Sequence, residues 1–185
     1  MYDDSLDASL WGLFAFGLYA ADDPRIIATM AAMIERLWIN SEVGGMARYE
    51  GDRYHREHNT YPGRQPYIIC TLWYADYLVE RARSEEDMQQ AVALLAWVAD
   101  HDLPSGVLAE QVHPESGRPL SVSPLTWSHA TYINSARKIM RHYGRLKKCQ
   151  QCGHCPGDTV VGGNNWLTKL FREACDSIHG ICTVK

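Results

Sequence analysis

The chain has 185 residues, of which 46% are hydrophobic and 22% are charged, values typical of a soluble globular domain with its own core. It carries 18 Lys and Arg against 22 Asp and Glu, a net charge of -4, and its basic run Arg145–Lys148 is short. This charge pattern argues against nucleic acid or an anionic membrane as a partner. The apolar segment Leu10–Leu18 is too short to span a membrane and lacks a preceding basic region, so we expect a cytoplasmic protein without a signal peptide.

Hydrophobic residues recur at three- and four-residue steps almost throughout the chain, which predicts an all-α fold. Pro24 after Asp22 or Asp23, and Asp87 three residues after Ser84, are typical of helix starts. No segment alternates with period two, and no β-hairpin is predicted. The six predicted helices cover Ser5–Tyr19, a segment from Pro24 to Leu37, a segment from about Pro66 to Val79, a segment from Ser84 to Val98, Pro124 to about Tyr143, and about Asn164 to Ile178.

Long loops alternate with short links between these helices. The segments Asn40–Gln65 and Asp102–Ser123 are long, whereas the other connections before Tyr143 are short. Short links join antiparallel neighbours, so the long loops are expected to gather at one end, as in a toroid of helical hairpins.

The first long loop combines glycines, aromatic rings and charged side chains in the segment Gly44–Tyr54. One interpretation is a solvated surface loop with loosely paired charges. The other is a loop that binds a polyol, because the guanidinium group of Arg48 offers several planar donors to neighbouring hydroxyls.

The second long loop contains Ala109-Glu110-Gln111, and Leu125-Thr126-Trp127-Ser128 follows at the start of the next helix. A carboxylate beside tryptophan and polar side chains is what acid–base chemistry on a sugar needs. An isolated glutamate on a surface loop is, however, usually a solvated carboxylate.

Together, these motifs resemble the glucoamylase-type glycoside hydrolases of family 15 over about Asp3 to Tyr143. The resemblance implies that residues 1–145 are the C-terminal half of a catalytic (α/α)6 toroid. It implies that Glu110 is the general base, that Gln111 is a neighbouring polar contact and that Trp127 lines the donor-sugar subsite. The loop residues that match the family's substrate-binding segment are Arg48, Tyr49, Asp52 and Tyr54.

The segment Gln65-Pro66-Tyr67 resembles the family's Asn-Pro-Trp segment at the rim of the acceptor-sugar subsite. Two interpretations of Tyr67 are open. The ring stacks on a sugar in place of the usual tryptophan, or it is a core aromatic residue at a helix start.

By resemblance, the function is an inverting, exo-acting hydrolysis that releases glucose from α-linked gluco-oligosaccharides, without a catalytic cofactor. No residue matches the family's general acid, so we expect this chain to supply the base and part of the sugar site but not the acid. The alternative is a non-catalytic carbohydrate- or protein-binding remnant of the same fold. The expected partners are an oligosaccharide or polysaccharide, and either the missing N-terminal half or a second copy of the chain. The preferred linkage (α-1,4, α-1,6 or α,α-1,1) is left open.

Five of the six cysteines lie in the segment 146–185, which we predict to be a Cys-rich knuckle followed by the last helix. Cys149-Gln150-Gln151-Cys152-Gly153 has the spacing with which two thiolates hold zinc. The alternatives are free thiols or an oxidised pair. A third ligand would be Cys155 or His154 and a fourth Cys175 or Cys182, so the predicted structural zinc site consists of Cys149, Cys152, Cys155 and Cys182.

Overall fold

Helix α3, Ile68–Arg81, lies at the centre of the domain, and nine of its 14 residues are buried. The computed structural model describes residues 4–55, 61 and 65–146. Its other α-helices are α1 (Gly12–Ala15), α2 (Pro24–Leu37), α4 (Glu85–Asp100) and α5 (Thr126–Leu146). In addition, a 3-10 helix spans Ala8–Trp11, and the short strands β1 (Gln111–Val112) and β2 (Pro119–Leu120) pair antiparallel. The predicted all-α class is confirmed.

Two helix starts follow the sequence signals closely. Asp23 accepts a hydrogen bond from the Arg25 N–H in front of Pro24 and thereby caps α2. Ser84 and Asp87 form a reciprocal capping box at α4. Along α2, the buried residues Ile26, Met30, Met33 and Leu37 form one apolar face.

The first predicted helix is wrong in its extent. The chain forms the 3-10 helix Ala8–Trp11 and the four-residue helix α1, rather than one helix from Ser5 to Tyr19. Gly17 follows with a φ of 79°, a left-handed conformation that ends helices and is readily adopted by glycine. Phe16 and Leu18 therefore leave the helix and are 83% and 64% exposed.

The hairpin of β1 and β2 was not predicted. Gln111 pairs with Leu120 and Val112 pairs with Pro119, and Gly117 turns the chain between them with a φ of 70°. Two residues per strand are too few for an alternating pattern to be visible in the sequence.

Two apolar clusters hold the helices together. One joins α3, α4 and α5 around residues such as Leu72, Leu95 and Ile139. The other joins α2 and the 3-10 helix to the opposite side of α3, around residues such as Met30, Leu37 and Cys70. Because α3 belongs to both clusters, its first turn is a fixed platform for the loops on either side.

None of the helices in the described part of the chain is both long and apolar enough to cross a membrane. The predicted helix at 164–178 and the rest of the segment 147–185 lie outside the described residues.

Candidate functional site

Three chain segments meet at the first turn of α3. The Tyr67 N–H donates to the Met46 carbonyl at 2.9 Å, and the Ile68 N–H donates to the Glu110 carbonyl at 3.2 Å. The Val112 N–H donates to the Pro66 carbonyl at 3.0 Å. Both loops that the sequence singles out are thus fixed to the same short segment, and their side chains are brought together.

A glycine allows the first of these loops to approach so closely. Gly45 has a φ of 93°, and a Cβ at this position would lie 2.5 Å from the Pro66 Cβ and 2.9 Å from the Trp97 ring. The Met46 N–H then donates to the Thr71 hydroxyl of α3 at 3.0 Å, and the Arg48 carbonyl accepts from the Ala8 N–H at 2.7 Å. The backbone leading to Arg48 is therefore fixed on both sides.

Arg48 and Asp52 form a two-pronged ion pair. Arg48 Nε lies 2.8 Å from Asp52 Oδ2, and Nη2 lies 3.0 Å from Oδ1. Only 2% of the Asp52 side chain is exposed, whereas 32% of the Arg48 side chain is exposed. Burial acts to raise the pKa of Asp52, but the hydrogen bonds from Arg48 and the Tyr54 N–H outweigh it and lower the pKa below 3.8. Asp52 is accordingly a buried anion that orients Arg48, and Arg48 is the member of the pair that reaches the surface.

Three tyrosine rings surround the Arg48 guanidinium. Its central carbon lies 4.8 Å from the ring centre of Tyr49, 5.4 Å from that of Tyr54 and 4.9 Å from that of Tyr67. These distances are typical of cation–π contacts, which add to the orientation imposed by Asp52.

Tyr67 lies beneath this pair and not at its surface. The residue is 1% exposed, and its hydroxyl donates to Asp52 Oδ2 at 3.1 Å and accepts from the Gln111 Nε2 at 2.8 Å. Burial is the main reason that the pKa of Tyr67 is raised, and the Asp52 carboxylate adds to it. Of the two open interpretations of Tyr67, the geometry favours the core aromatic residue, because a buried ring has no face free for a sugar.

Glu110 is held by backbone and side-chain contacts at the end of the hairpin. Its N–H donates to the Val122 carbonyl at 2.9 Å, and its carboxylate accepts a 2.5 Å hydrogen bond from the Ser121 hydroxyl at Oε2. The residue is partly buried. Ser121 was not among the predicted site residues, because the β1–β2 register that brings it opposite Glu110 cannot be read from the composition of the loop.

The start of α5 is bound to the same loop. The Ser128 hydroxyl donates to the Ala109 carbonyl at 2.8 Å, and the Leu125 N–H donates to the Leu108 carbonyl at 3.0 Å. His129 Nε2 accepts from the Leu108 N–H at 3.0 Å, which gives this histidine a structural contact. The Ala109-Glu110-Gln111 motif and the Leu125-Thr126-Trp127-Ser128 motif are thereby held together by hydrogen bonds.

Trp127 lies on an aromatic cleft. The residue is 55% exposed, and its ring centre is 5.9 Å from that of Trp73, which stacks on Trp11 at 4.9 Å. The cleft has a volume of about 450 Å³. It is lined by Ser9, Trp11, Phe16, Trp73, Asp76, Trp127, Ala130, Thr131 and Asn134. Exposed indole rings in a cleft suit contact with the apolar face of a sugar, so the position of Trp127 is compatible with its predicted role.

The predicted zinc ligands Cys149, Cys152, Cys155 and Cys182 lie outside the described residues, so the zinc site stays a prediction. Within 4–55, 61 and 65–146, no group of three or more His, Cys, Asp or Glu side chains has the arrangement of a metal site. Cys70, in the middle of α3, is fully buried, and burial raises the pKa of its thiol well above 9.0. It is therefore a core residue.

Comparison with known proteins gives a consistent result. The sequence model described as Glycosyl hydrolases family 15 matches residues 86–137. An uncharacterized glycosyl hydrolase of Methanocaldococcus jannaschii is 35% identical over 141 residues, which cover 71% of this chain and 21% of the relative. A trehalase of Mycolicibacterium smegmatis is 31% identical over 140 residues, which cover 75% of this chain and 20% of the relative.

Solved structures show the same fold. A bacterial glucoamylase complexed with acarbose superimposes with a TM-score of 0.65 at 24% identity, over 75% of this chain and 21% of that chain. A glycosidase superimposes with a TM-score of 0.58 at 26% identity, over 75% of this chain and 37% of that chain.

The helical fold of the described residues is that of part of a glycosidase-type domain. The chain belongs to glycosyl hydrolase family 15 and has the fold of part of the family's (α/α)6 toroid. It spans about one fifth of the length of the curated relatives it matches.

Proposed function

We propose that this chain carries the general-base side of a family 15 site that hydrolyses α-linked glucosides with inversion and releases glucose from the chain end. The observation that carries the proposal is the fixed position of Glu110 next to the network of Gln111, Tyr67, Asp52 and Arg48. Relatives named trehalase and glucoamylase support a substrate with α-linked glucose.

In this mechanism, Glu110 accepts a proton from a water molecule as the water oxygen forms a bond to the anomeric carbon. The glycosidic C–O bond breaks on the opposite face of the ring, which inverts the anomeric configuration. Because Ser121 binds Oε2 of Glu110, we assign Oε1 to the water. The hydrogen bond from Ser121 keeps the carboxylate in one orientation for that proton transfer.

Arg48 is assigned to the hydroxyl groups of the sugar. Its pair with Asp52 occupies two of the five N–H donors of a guanidinium group, and 32% of the side chain remains exposed. The remaining donors are therefore available for neighbouring hydroxyls. Trp127 is assigned to the apolar face of the donor sugar.

The leaving oxygen also needs a proton, and no residue of this chain matches the general acid of the family. In inverting enzymes, the two carboxyl groups stand about 6.5–9.5 Å apart on opposite sides of the bond. We propose that the acid comes from the part of the domain that has no counterpart among the aligned residues of this chain, since the alignment covers only 37% of the solved glycosidase.

This division of roles is tested with α-glucosyl fluoride, whose fluoride leaves without protonation and so bypasses the general acid. We expect the folded chain to release fluoride and β-glucose, but to cleave maltotriose, isomaltose and trehalose about 100- to 10,000-fold more slowly, the usual contribution of acid catalysis. Absence of fluoride release from a folded chain that binds glucosides would instead identify a non-catalytic binding protein. The relative rates on the three natural linkages would decide between a glucoamylase-like and a trehalase-like preference.

The non-catalytic alternative is favoured by one observation. Large apolar side chains that a complete domain normally covers are exposed, among them Phe16, Leu18, Trp127 and Ile133 at 83%, 64%, 55% and 59%. A chain that binds a sugar or a protein on this surface, without chemistry, would retain sugar binding after loss of the carboxylate in Glu110→Gln.

A further inference from the structure

We propose that Tyr67 is a positioning residue: its hydroxyl, held by Gln111, fixes Asp52 and thereby orients Arg48 relative to the loop of Glu110. The consequence for sugar binding rests on the proposed function, whereas the consequence for the geometry of Arg48 does not. The matching position in the family segment that this chain resembles is a tryptophan, which has no hydroxyl to offer.

Tyr67 supplies one of the four hydrogen bonds that the Asp52 carboxylate accepts. Oδ1 accepts from Arg48 Nη2 and from the Tyr54 N–H, each at 3.0 Å. Oδ2 accepts from Arg48 Nε at 2.8 Å and from the Tyr67 hydroxyl at 3.1 Å. Each oxygen thus has one donor from Arg48 and one from the surrounding protein, so the carboxylate cannot rotate without breaking a buried contact.

The other side of the Tyr67 hydroxyl leads to the base loop. Gln111 is 0% exposed, and its Nε2 donates to the hydroxyl oxygen at 2.8 Å, which orients the O–H toward Asp52. Gln111 directly follows Glu110, and its backbone forms a β-bridge with Tyr67. The Tyr67 hydroxyl therefore contacts the loop of Glu110 through Gln111, and it contacts the Arg48–Asp52 pair through Asp52.

A purely structural role for Tyr67 makes a different prediction. Its ring is packed in the core with Met46, Ile69 and Cys70, and this apolar cluster would be unchanged by removal of the hydroxyl alone. If the ring is all that matters, Tyr67→Phe leaves Arg48 as it is. If the hydroxyl positions Asp52, the same change loosens Arg48 without opening a cavity.

The first test measures hydrogen exchange at the Arg48 side-chain Nε–H by NMR in the full chain. We expect Tyr67→Phe and Gln111→Met each to accelerate this exchange at least fivefold, because Tyr67→Phe removes the donor to Asp52 Oδ2 and Gln111→Met removes the hydrogen bond that orients this donor. Tyr49→Phe is the matched control: Tyr49 faces the same guanidinium, but its hydroxyl makes no hydrogen bond to Asp52. Unchanged exchange in the folded Tyr67→Phe or Gln111→Met protein, or equal acceleration in Tyr49→Phe, would overturn the proposal.

The second test asks whether the effect reaches the reaction through Arg48. On α-glucosyl fluoride, we expect Tyr67→Phe to raise KM more than it lowers kcat, and to have no further effect in an Arg48→Ala background. An equal loss in both backgrounds would contradict action through Arg48. Because the exchange measurement does not depend on hydrolysis, an inactive chain would reject the proposed function while leaving the role of Tyr67 decided by the first test.

Discussion

The Ser121 hydroxyl donates to Glu110 Oε2 at the open end of the β1–β2 hairpin. The backbone of Ser121 has a φ of 64°. A non-glycine residue in the left-handed region is uncommon, and such residues cluster at functional sites where the surrounding structure enforces them. The contact therefore connects backbone strain at Ser121 with the orientation of the proposed base.

Two substitutions separate these effects. Ser121→Ala and Ser121→Gly both remove the hydroxyl, so we expect both to lower kcat on α-glucosyl fluoride by about tenfold, equivalent to about 1.4 kcal/mol. Only glycine adopts a φ of 64° without cost, so Ser121→Gly should be more stable than Ser121→Ala by about 1 kcal/mol in urea unfolding. Equal stabilities would show that the backbone is not strained at this position.

The Arg48–Asp52 pair should contribute to stability at neutral pH. Asp52→Asn removes charge-assisted hydrogen bonds from a buried site, with an expected cost of about 1.5–3 kcal/mol in the free energy of unfolding. Since the pKa of Asp52 is lowered in the folded state, this contribution to stability is fully present above pH 3.8, the ordinary pKa of the carboxyl group. It is lost as the pH falls through the lowered pKa of the folded state.

Urea unfolding of both proteins at pH 7 and at pH 2.5 measures that difference. The gap between wild type and Asp52→Asn should be largest at pH 7 and smaller at pH 2.5. A gap that grows toward acid pH would contradict the assigned direction.

The pKa of Asp76, which pairs with Lys138, is shifted in the opposite direction from that of Asp52. Asp76 is 1% exposed, and burial raises its pKa above 3.8 although Lys138 at 2.6 Å and Ser135 at 2.7 Å act to lower it. Lys138→Met leaves this carboxylate buried without its cation, which typically costs about 3–5 kcal/mol at neutral pH.

A raised carboxyl pKa means that the folded state takes up its proton at a higher pH than the unfolded state. The free energy of unfolding of Lys138→Met, relative to wild type, should therefore recover as the pH falls from 7 toward 4, because Asp76 becomes neutral. Thermal unfolding across this range checks the prediction. A deficit that is independent of pH would indicate lost packing of the lysine side chain instead.

Trp127 should affect sugar binding more than stability. The residue is 55% exposed, so Trp127→Ala is expected to lower the free energy of unfolding by less than about 1 kcal/mol. Loss of an aromatic platform should weaken maltose binding, measured by calorimetry, by about tenfold, whereas Trp127→Phe should retain most of it. Unchanged affinity in Trp127→Ala would remove the aromatic cleft from the proposed site.

The sequence predicted those parts of the molecule that depend on neighbouring residues. The caps at Asp23 and Ser84 follow from side chains within three residues of their targets, and both are present. The first helix was overextended, because its apolar spacing continues past Gly17 while the backbone does not.

Several residues that the sequence singles out lie together in the structure, but their geometry was not predicted. Arg48, Asp52, Tyr67 and Gln111 do form one connected network with Glu110 beside it. Which of them are buried depends on tertiary packing, so the sequence did not distinguish Arg48, which reaches the surface, from Asp52 and Tyr67, which support it. Ser121 could not be predicted, because its contact with Glu110 depends on the register of a two-residue ladder.

The assignment of Glu110 as the general base is tested by the substitution Glu110→Gln. Glu115→Gln, which removes an exposed carboxylate from the same loop, is the matched control. We predict that Glu110→Gln lowers the rate of fluoride release from α-glucosyl fluoride by about 100- to 10,000-fold, with unchanged helical content, while Glu115→Gln stays within about twofold of wild type. A folded Glu110→Gln protein with full activity would show that Glu110 is not the general base.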